Sequence, residues 1–229
     1  MTTKTARRTA DLAQRLRSVP RPTPVLERGR ERDLTPRQRE ILDELGGLFD
    51  GGFAHLTMAG IASALSCSLR TLYELAPSRD ELVLVVVDRN LWRIGRTATG
   101  ALDPDMAPLD ALRAYLDAAN MAVAGTTAAF ARDLATVPAA QRLNDAHSDY
   151  IIAVARCLLD MALEQGDIDV VDTAAIARVV AGVGRDFARA EVLATLQSPP
   201  KDAADTVVDV ILRGLTERHR RAGPTGRRS

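Results

Sequence analysis

Between Ser68 and Ala76-Pro77 runs a seven-residue segment, LRTLYEL, that sets Arg70, Thr71 and Tyr73 among leucines. A guanidinium, a hydroxyl and a phenol can hydrogen-bond to base edges and phosphate oxygens. A helix of that length is marginal in water, so its neighbours must hold it. Further along the chain, His147 with Asp149 and Cys157 supplies acid–base types. Residues two apart on a helix point away from each other, so His147 and Asp149 form no acid–base pair. The chain has no nucleophile elbow, no glycine-rich phosphate loop and no metal-ligand spacing. Its two cysteines, Cys67 and Cys157, form no disulfide framework. No catalytic role, cofactor or metal is expected, and Cys67 is read as a core thiol.

The elements that position Arg70 are legible from caps and apolar spacing. Thr35, Pro36 and Gln38 form a capping box with proline at the first helical position, followed by Ile41, Leu42, Leu45, Leu48 and Phe49 at helical intervals. Gly51-Gly52 ends that helix. Thr57 caps a second helix carrying Ile61, Ala62 and Leu65. Ser68 caps the short one, and Pro77 ends it. Ser78 and Glu81 predict another capping box, which opens a longer apolar helix. From residue 95 onward only helical periodicity appears. Segments open at Pro108, run past Phe130 and Leu134, and extend from Pro138 to Gly166. Another runs from Asp172 or Thr173 to about Leu196, and the last from Lys201 to about Arg220. The chain reads as all-α.

Two short helices joined by a tight turn, the second packed across the first, form a helix-turn-helix whose second helix enters a major groove. Ile61, Ala62, Leu65, Leu69 and Leu72 are expected to bind the pair to the preceding helix. The segment 38–85 resembles the TetR family of bacterial transcriptional regulators. It shows LFDGGF at 48–53, Thr57, Ile61-Ala62, Ser68, Leu72-Tyr73 and Ser78-Arg79-Asp80-Glu81-Leu82 in the family's order and spacing. Ser66-Cys67 stands where the family has Gly-Val, at a turn that favours φ > 0. Leu75-Ala76 replaces an aromatic-bearing pair, and Arg79 replaces lysine. The resemblance implies phosphate contacts from Thr57, Ser68, Tyr73 and Arg79, and approach to base edges by Leu69, Arg70 and Thr71. It also implies a homodimer whose last two helices pair with those of a second copy.

The expected organisation is a disordered Arg/Pro-rich leader over 1–34, a DNA-binding domain over 35–95, a helical ligand-sensing and dimerisation domain over 96–221, and a loose tail over 222–229. Candidate pocket groups are Trp92, Tyr115, Asn120, His147, Tyr150 and Arg185. Candidate interface residues are Ala181, Ala188, Val208, Leu212 and Leu215. The formal net charge is zero, yet residues 1–40 hold eleven basic against five acidic side chains, which leaves the remainder acidic. Residues 41–82 hold only Arg70 and Arg79 against six carboxylates. A basic arm beside an acidic domain predicts a polyanionic partner for the arm. With no apolar run of membrane-spanning length and no export signal, a cytoplasmic location is expected. The function implied is a regulator, most simply a repressor, that leaves double-stranded operator DNA when a small apolar or amphipathic effector binds. The alternative is a helix-turn-helix protein that has lost DNA binding and serves as a partner-binding subunit.

Overall fold

The computed structural model describes residues 12–26, 28–103 and 105–222, and among these every regular element is a helix. In chain order they are α1 (residues 12–18), α2 (Arg28–Asp33), α3 (Pro36–Asp50), α4 (Met58–Ala64), α5 (Leu69–Leu75) and α6 (Arg79–Gly100). There follow α7 (Pro108–Asn120), α8 (Ala128–Leu134), α9 (Pro138–Gln165), α10 (Thr173–Phe187), α11 (Ala190–Leu193) and α12 (Pro200–Ala222). No described helix is long and apolar enough to cross a membrane.

The starts of the helices follow the caps. Thr35 Oγ1 accepts from Gln38 N while Gln38 Oε1 accepts from Thr35 N, the reciprocal box that satisfies two orphan donors at once. At Ser78 only the forward bond forms, from Glu81 N to the serine hydroxyl. The turn between α4 and α5 puts Ser66 at φ +47°, the left-handed value expected of it and the only positive φ at a described non-glycine residue. A side chain there is strained because Cβ crowds the following carbonyl.

Two apolar cores result. The smaller joins α3, α4 and α5 to the first half of α6, with Ile41, Leu45, Phe49, Ile61 and Leu72 fully buried. Val137, Ala140 and Leu143 at the start of α9 close it. The larger packs α7, α9, α10 and α12 around Leu112, Tyr115, Leu158 and Leu159. Helix α6 belongs to both, with Leu82 to Val87 in the smaller core and Ala98 in the larger.

The leader departs from the disorder expected over 1–34. Residues 1–11 lie outside the described residues, but α1 is helical, and Leu12 and Leu16 enter the larger core. Arg15 donates both Nη groups to the carboxylate of Glu164. The chain then crosses to the smaller core, where Val25 N donates to the buried carboxylate of Asp88 and Leu26 and Leu34 are buried. The expectation failed because apolar residues at 12, 16 and 19 are too few to show periodicity, although they suffice to cover a face that the rest of the chain provides. The expected segment 172–196 is also broken: α10 ends at Phe187 with Ala188 as its cap, and Arg189 is extended before α11. Of the tail, residues 223–229 lie outside the described residues.

Candidate nucleic-acid interface and ligand cavities

Thr57 and Ser68 cap α4 and α5: Gly60 N donates to Thr57 Oγ1 over 3.1 Å, and Thr71 N to Ser68 Oγ over 3.0 Å. The Ser68 and Thr71 hydroxyls also pair with each other. Leu72 and Leu75 point inward. Leu69 and Tyr73 point outward, 42% and 53% exposed, so Leu69 does not bind α5 to the core as expected. Its place at the first helical position puts it on the solvent face, since Leu72 and Leu75 define the buried one. Arg70 is the most prominent group of that face, its side chain 89% exposed, with Nε 3.0 Å from Glu74 Oε1. The outward surface of α5 is thus a leucine, an arginine and a tyrosine held at fixed spacing on a capped helix.

Arg79 is turned toward the protein. It donates to Ala54 O (2.8 Å) and Leu56 O (3.3 Å) and pairs with Asp80, which fixes the turn leading into α4. Arg37 likewise donates to Leu65 O at the end of α4 while it pairs with Glu40 and Glu44. Cys67, half-buried against the smaller core, has its thiol pKa raised by burial, with the nearby Glu44 adding to the shift and Arg37 opposing it. That favours the thiol and fits a packing role.

Helix α8 is locked to the turn between α3 and α4. Asp133 Oδ2 accepts from Phe53 N (2.5 Å) and Ala54 N (2.7 Å), and Thr127 Oγ1 donates to Asp50 O. Phe130 meets Phe53 edge-on, ring centroids 5.9 Å apart. Gly52 takes φ +91°, and a Cβ there would lie 3.0 Å from the same Asp133 oxygen, so any other residue is strained at this turn. Nothing in the sequence marked this contact except the Thr127 cap of α8.

The candidate pocket residues divide between two cavities. Asn120, His147 and Arg185 line an open cavity of about 1380 Å³ that reaches from Phe49 of α3 across α6, α8 and α9 to α10. Tyr115 and Tyr150 line a separate one of about 230 Å³ beside α1. Trp92 lines neither. It packs edge-on against His147, and its buried Nε1 has no partner among the described residues. His147 Nε2 lies 3.4 Å from Asp88 Oδ1, while the other Asp88 oxygen holds Val25 N. Asn120 donates to Asp205, and a Cβ at Gly184 would come within 2.7 Å of its Oδ1, so glycine permits that helix approach. The apolar wall of the larger cavity comes from Phe49, Val86, Phe130 and Ile151, and Arg93, Arg96 and Arg132 stand among its polar groups.

The candidate interface residues are placed differently from expectation. Val208, Leu212 and Leu215 are buried within the larger core of the single chain, and Ala181 with them. Ala188 is half-buried beside the open cavity. The exposed apolar residues of the same two helices are Val179 and Val210, 53% and 63% exposed.

No family model matches the chain, and no curated protein matches it. Solved structures do. A TetR-family regulator, PfmR from Thermus thermophilus, is similar at TM-score 0.57 and 23% identity over 76% of this chain and 98% of its own. A tetR-family regulatory protein from Rhodococcus RHA1 gives 0.61 and 21% over 80% and 98%. A TetR transcription regulator from Haloarcula marismortui gives 0.63 and 16% over 80% and 99%. The chain therefore has the fold of the TetR-family regulators.

Proposed function

We propose that the protein is a cytoplasmic, homodimeric transcriptional regulator that binds double-stranded DNA through α4 and α5. It acts as a repressor released by a small apolar or amphipathic molecule. The outward face of α5 carries this reading: Leu69, Arg70 and Tyr73 are exposed side by side on a helix whose opposite face is fully buried. Such a helix enters a major groove with its N-terminal residues against base edges. The hydroxyls of Thr57 and Ser68 cap helices, that of Thr71 pairs with Ser68, and all three retain lone pairs toward donors or protons toward phosphate. Arg79 contributes by fixing the turn before α4.

Pairing of two copies is supported by an apolar stripe of small residues on α10 and α12, which pack side by side. Val179, Gly182 and Val183 lie on one, and Val207, Val210 and Gly214 on the other, all half-buried or exposed. Effector release is supported by the contact of one cavity with both domains. Phe49, Phe130 and Leu134 line it, and α8 is bonded through Asp133 to the turn that precedes α4. A molecule that wedges α8 outward shifts α4 and α5 with it, and so changes the separation of the two recognition helices.

One observation favours the alternative, a partner-binding protein without DNA affinity. Arg70 is paired with Glu74, and Arg79 is bonded to backbone and Asp80, so the acidic domain presents little free positive charge. Fluorescence anisotropy with its own upstream DNA and with random duplex, across a salt series, decides between them. A regulator prefers its operator by at least about 10³ and shows log affinity falling linearly with log salt. Equal and weak binding to both duplexes leaves the alternative.

A further inference from the structure

The smaller cavity lies between α1, the end of α6, α7 and α9, with α1 as one wall. At about 230 Å³ it exceeds the roughly 150 Å³ of an engineered cavity that holds benzene, and far exceeds one water's share of about 30 Å³. Its apolar side is made by Leu16, Leu102 and Val154. Tyr115, 1% exposed, also lines it and brings the phenol hydroxyl to its wall. A phenol hydroxyl can both donate to and accept from a molecule in the cavity.

The remaining polar lining is one-sided. Arg17 and Arg21 stand at the mouth, no carboxylate lines the cavity, and neither arginine has an ion pair among the described residues. Tyr115, Tyr150 and Arg21 line the same cavity, and the pKa of the Tyr115 hydroxyl is raised by burial, with Tyr150 adding to the shift and Arg21 opposing it. A guanidinium offers donors only, and a protonated phenol can offer its own. The chemistry that completes the set is an anionic acceptor joined to a short apolar body.

We propose that this cavity binds a small amphipathic carboxylate, its headgroup held by Tyr115, Tyr150 and Arg21 and its alkyl or aryl body against Leu16, Leu102 and Val154. The site is separate from the large open cavity, and it does not depend on DNA binding. Because α1 forms a wall, an occupant also pins residues 12–26 to the body.

Isothermal titration of the full chain with octanoate, and with 1-octanol as the neutral match, tests this. Octanoate is expected to bind once per chain, and 1-octanol about tenfold more weakly, the effect of losing a charge-assisted pair. Tyr115→Phe is expected to weaken octanoate about three- to tenfold, and Arg21→Ala about tenfold. Arg132→Ala, in the large cavity, should leave the affinity unchanged. Arg21 is exposed, so its variant folds and decides the matter even if Tyr115→Phe is destabilised. The proposal is overturned by no octanoate binding in the millimolar range, by equal binding of octanol, or by wild-type affinity in Arg21→Ala. Since no DNA is involved, that failure leaves the regulator reading standing, and a failure of DNA binding leaves this one standing.

Discussion

Replacing Asp133 by alanine removes the carboxylate that joins α8 to the turn between α3 and α4. Two backbone amides lose their acceptor, Phe53 N at 2.5 Å and Ala54 N at 2.7 Å. The two losses are unequal. Ala54 is exposed and its amide regains water, whereas Phe53 is 1% exposed and its amide is left poorly served. A hydrogen bond to a charged acceptor contributes about 1.5–3 kcal/mol, so the variant should lose about 2–3 kcal/mol, nearly all of it through Phe53. Asp133→Asn keeps an acceptor without the charge and should lose about half as much. Gly52→Ala attacks the same latch from the other side. It forces a Cβ to φ +91° and to 3.0 Å from the carboxylate, with left-handed strain of about 1–2 kcal/mol. Urea denaturation ranks the three variants, and hydrogen exchange at the Phe53 and Ala54 amides locates the effect. If Asp133→Ala unfolds at the wild-type urea midpoint and the Phe53 amide stays protected, the carboxylate does not hold the turn and the proposed route from cavity to DNA loses its link.

Ser66→Gly should stabilise the protein by roughly 0.5–1 kcal/mol in urea denaturation, because relief of about 1–2 kcal/mol of left-handed strain exceeds the added unfolded-chain entropy. A destabilised variant would mean the φ of +47° is not strained. Arg70→Ala should weaken specific DNA binding by about 1–3 kcal/mol in anisotropy titrations, with random duplex nearly unaffected; equal losses on both duplexes would make Arg70 a phosphate contact instead. Val210→Glu should yield a folded monomer in sedimentation, whereas Leu212→Glu, buried in the single chain, should unfold it. A dimeric Val210→Glu would remove that stripe from the interface. Deleting residues 1–26 should lower stability by several kcal/mol, since Leu12 and Leu26 leave two different cores at about 1.5–3 kcal/mol each. An unchanged urea midpoint would show that the leader only rests on the surface.

Much of the smaller domain was legible because its signals are local. A cap, a proline and three or four apolar residues at helical spacing act within one turn of chain, so Thr35, Thr57, Ser68 and Pro77 set α3, α4 and α5. The left-handed turn at Ser66 was expected from the resemblance and not from local signals, and Leu69, expected on the buried face with Leu72, lies on the exposed one with Arg70. The sign of each contact that joins distant segments was not legible. Asp133 reads in sequence as one more helical surface acid, and becomes a latch only because α8 is brought against residues 53 and 54.

The two final long helices show the limit most clearly. Their periodicity identified α10 and α12 as amphipathic and rich in small residues. Each carries two adjacent apolar stripes, and the hydrophobic effect that rewards burying one acts equally on the other. Only the packing of α7 and α10 against α12 assigns Val208, Leu212 and Leu215 to the chain's own core, and so leaves Val179 and Val210 facing outward. The leader shows the same limit, since Leu12 and Leu16 form too small a pattern to order a helix alone, and their partners lie a hundred residues and more further along the chain. Local residue order was enough for α3, α4 and α5 and for the caps at Thr35, Thr57 and Ser68. Which apolar stripe is core, how α8 meets the turn before α4, and where two cavities open follow from tertiary packing, because burial is non-directional and selects a face only when another surface is there to cover it.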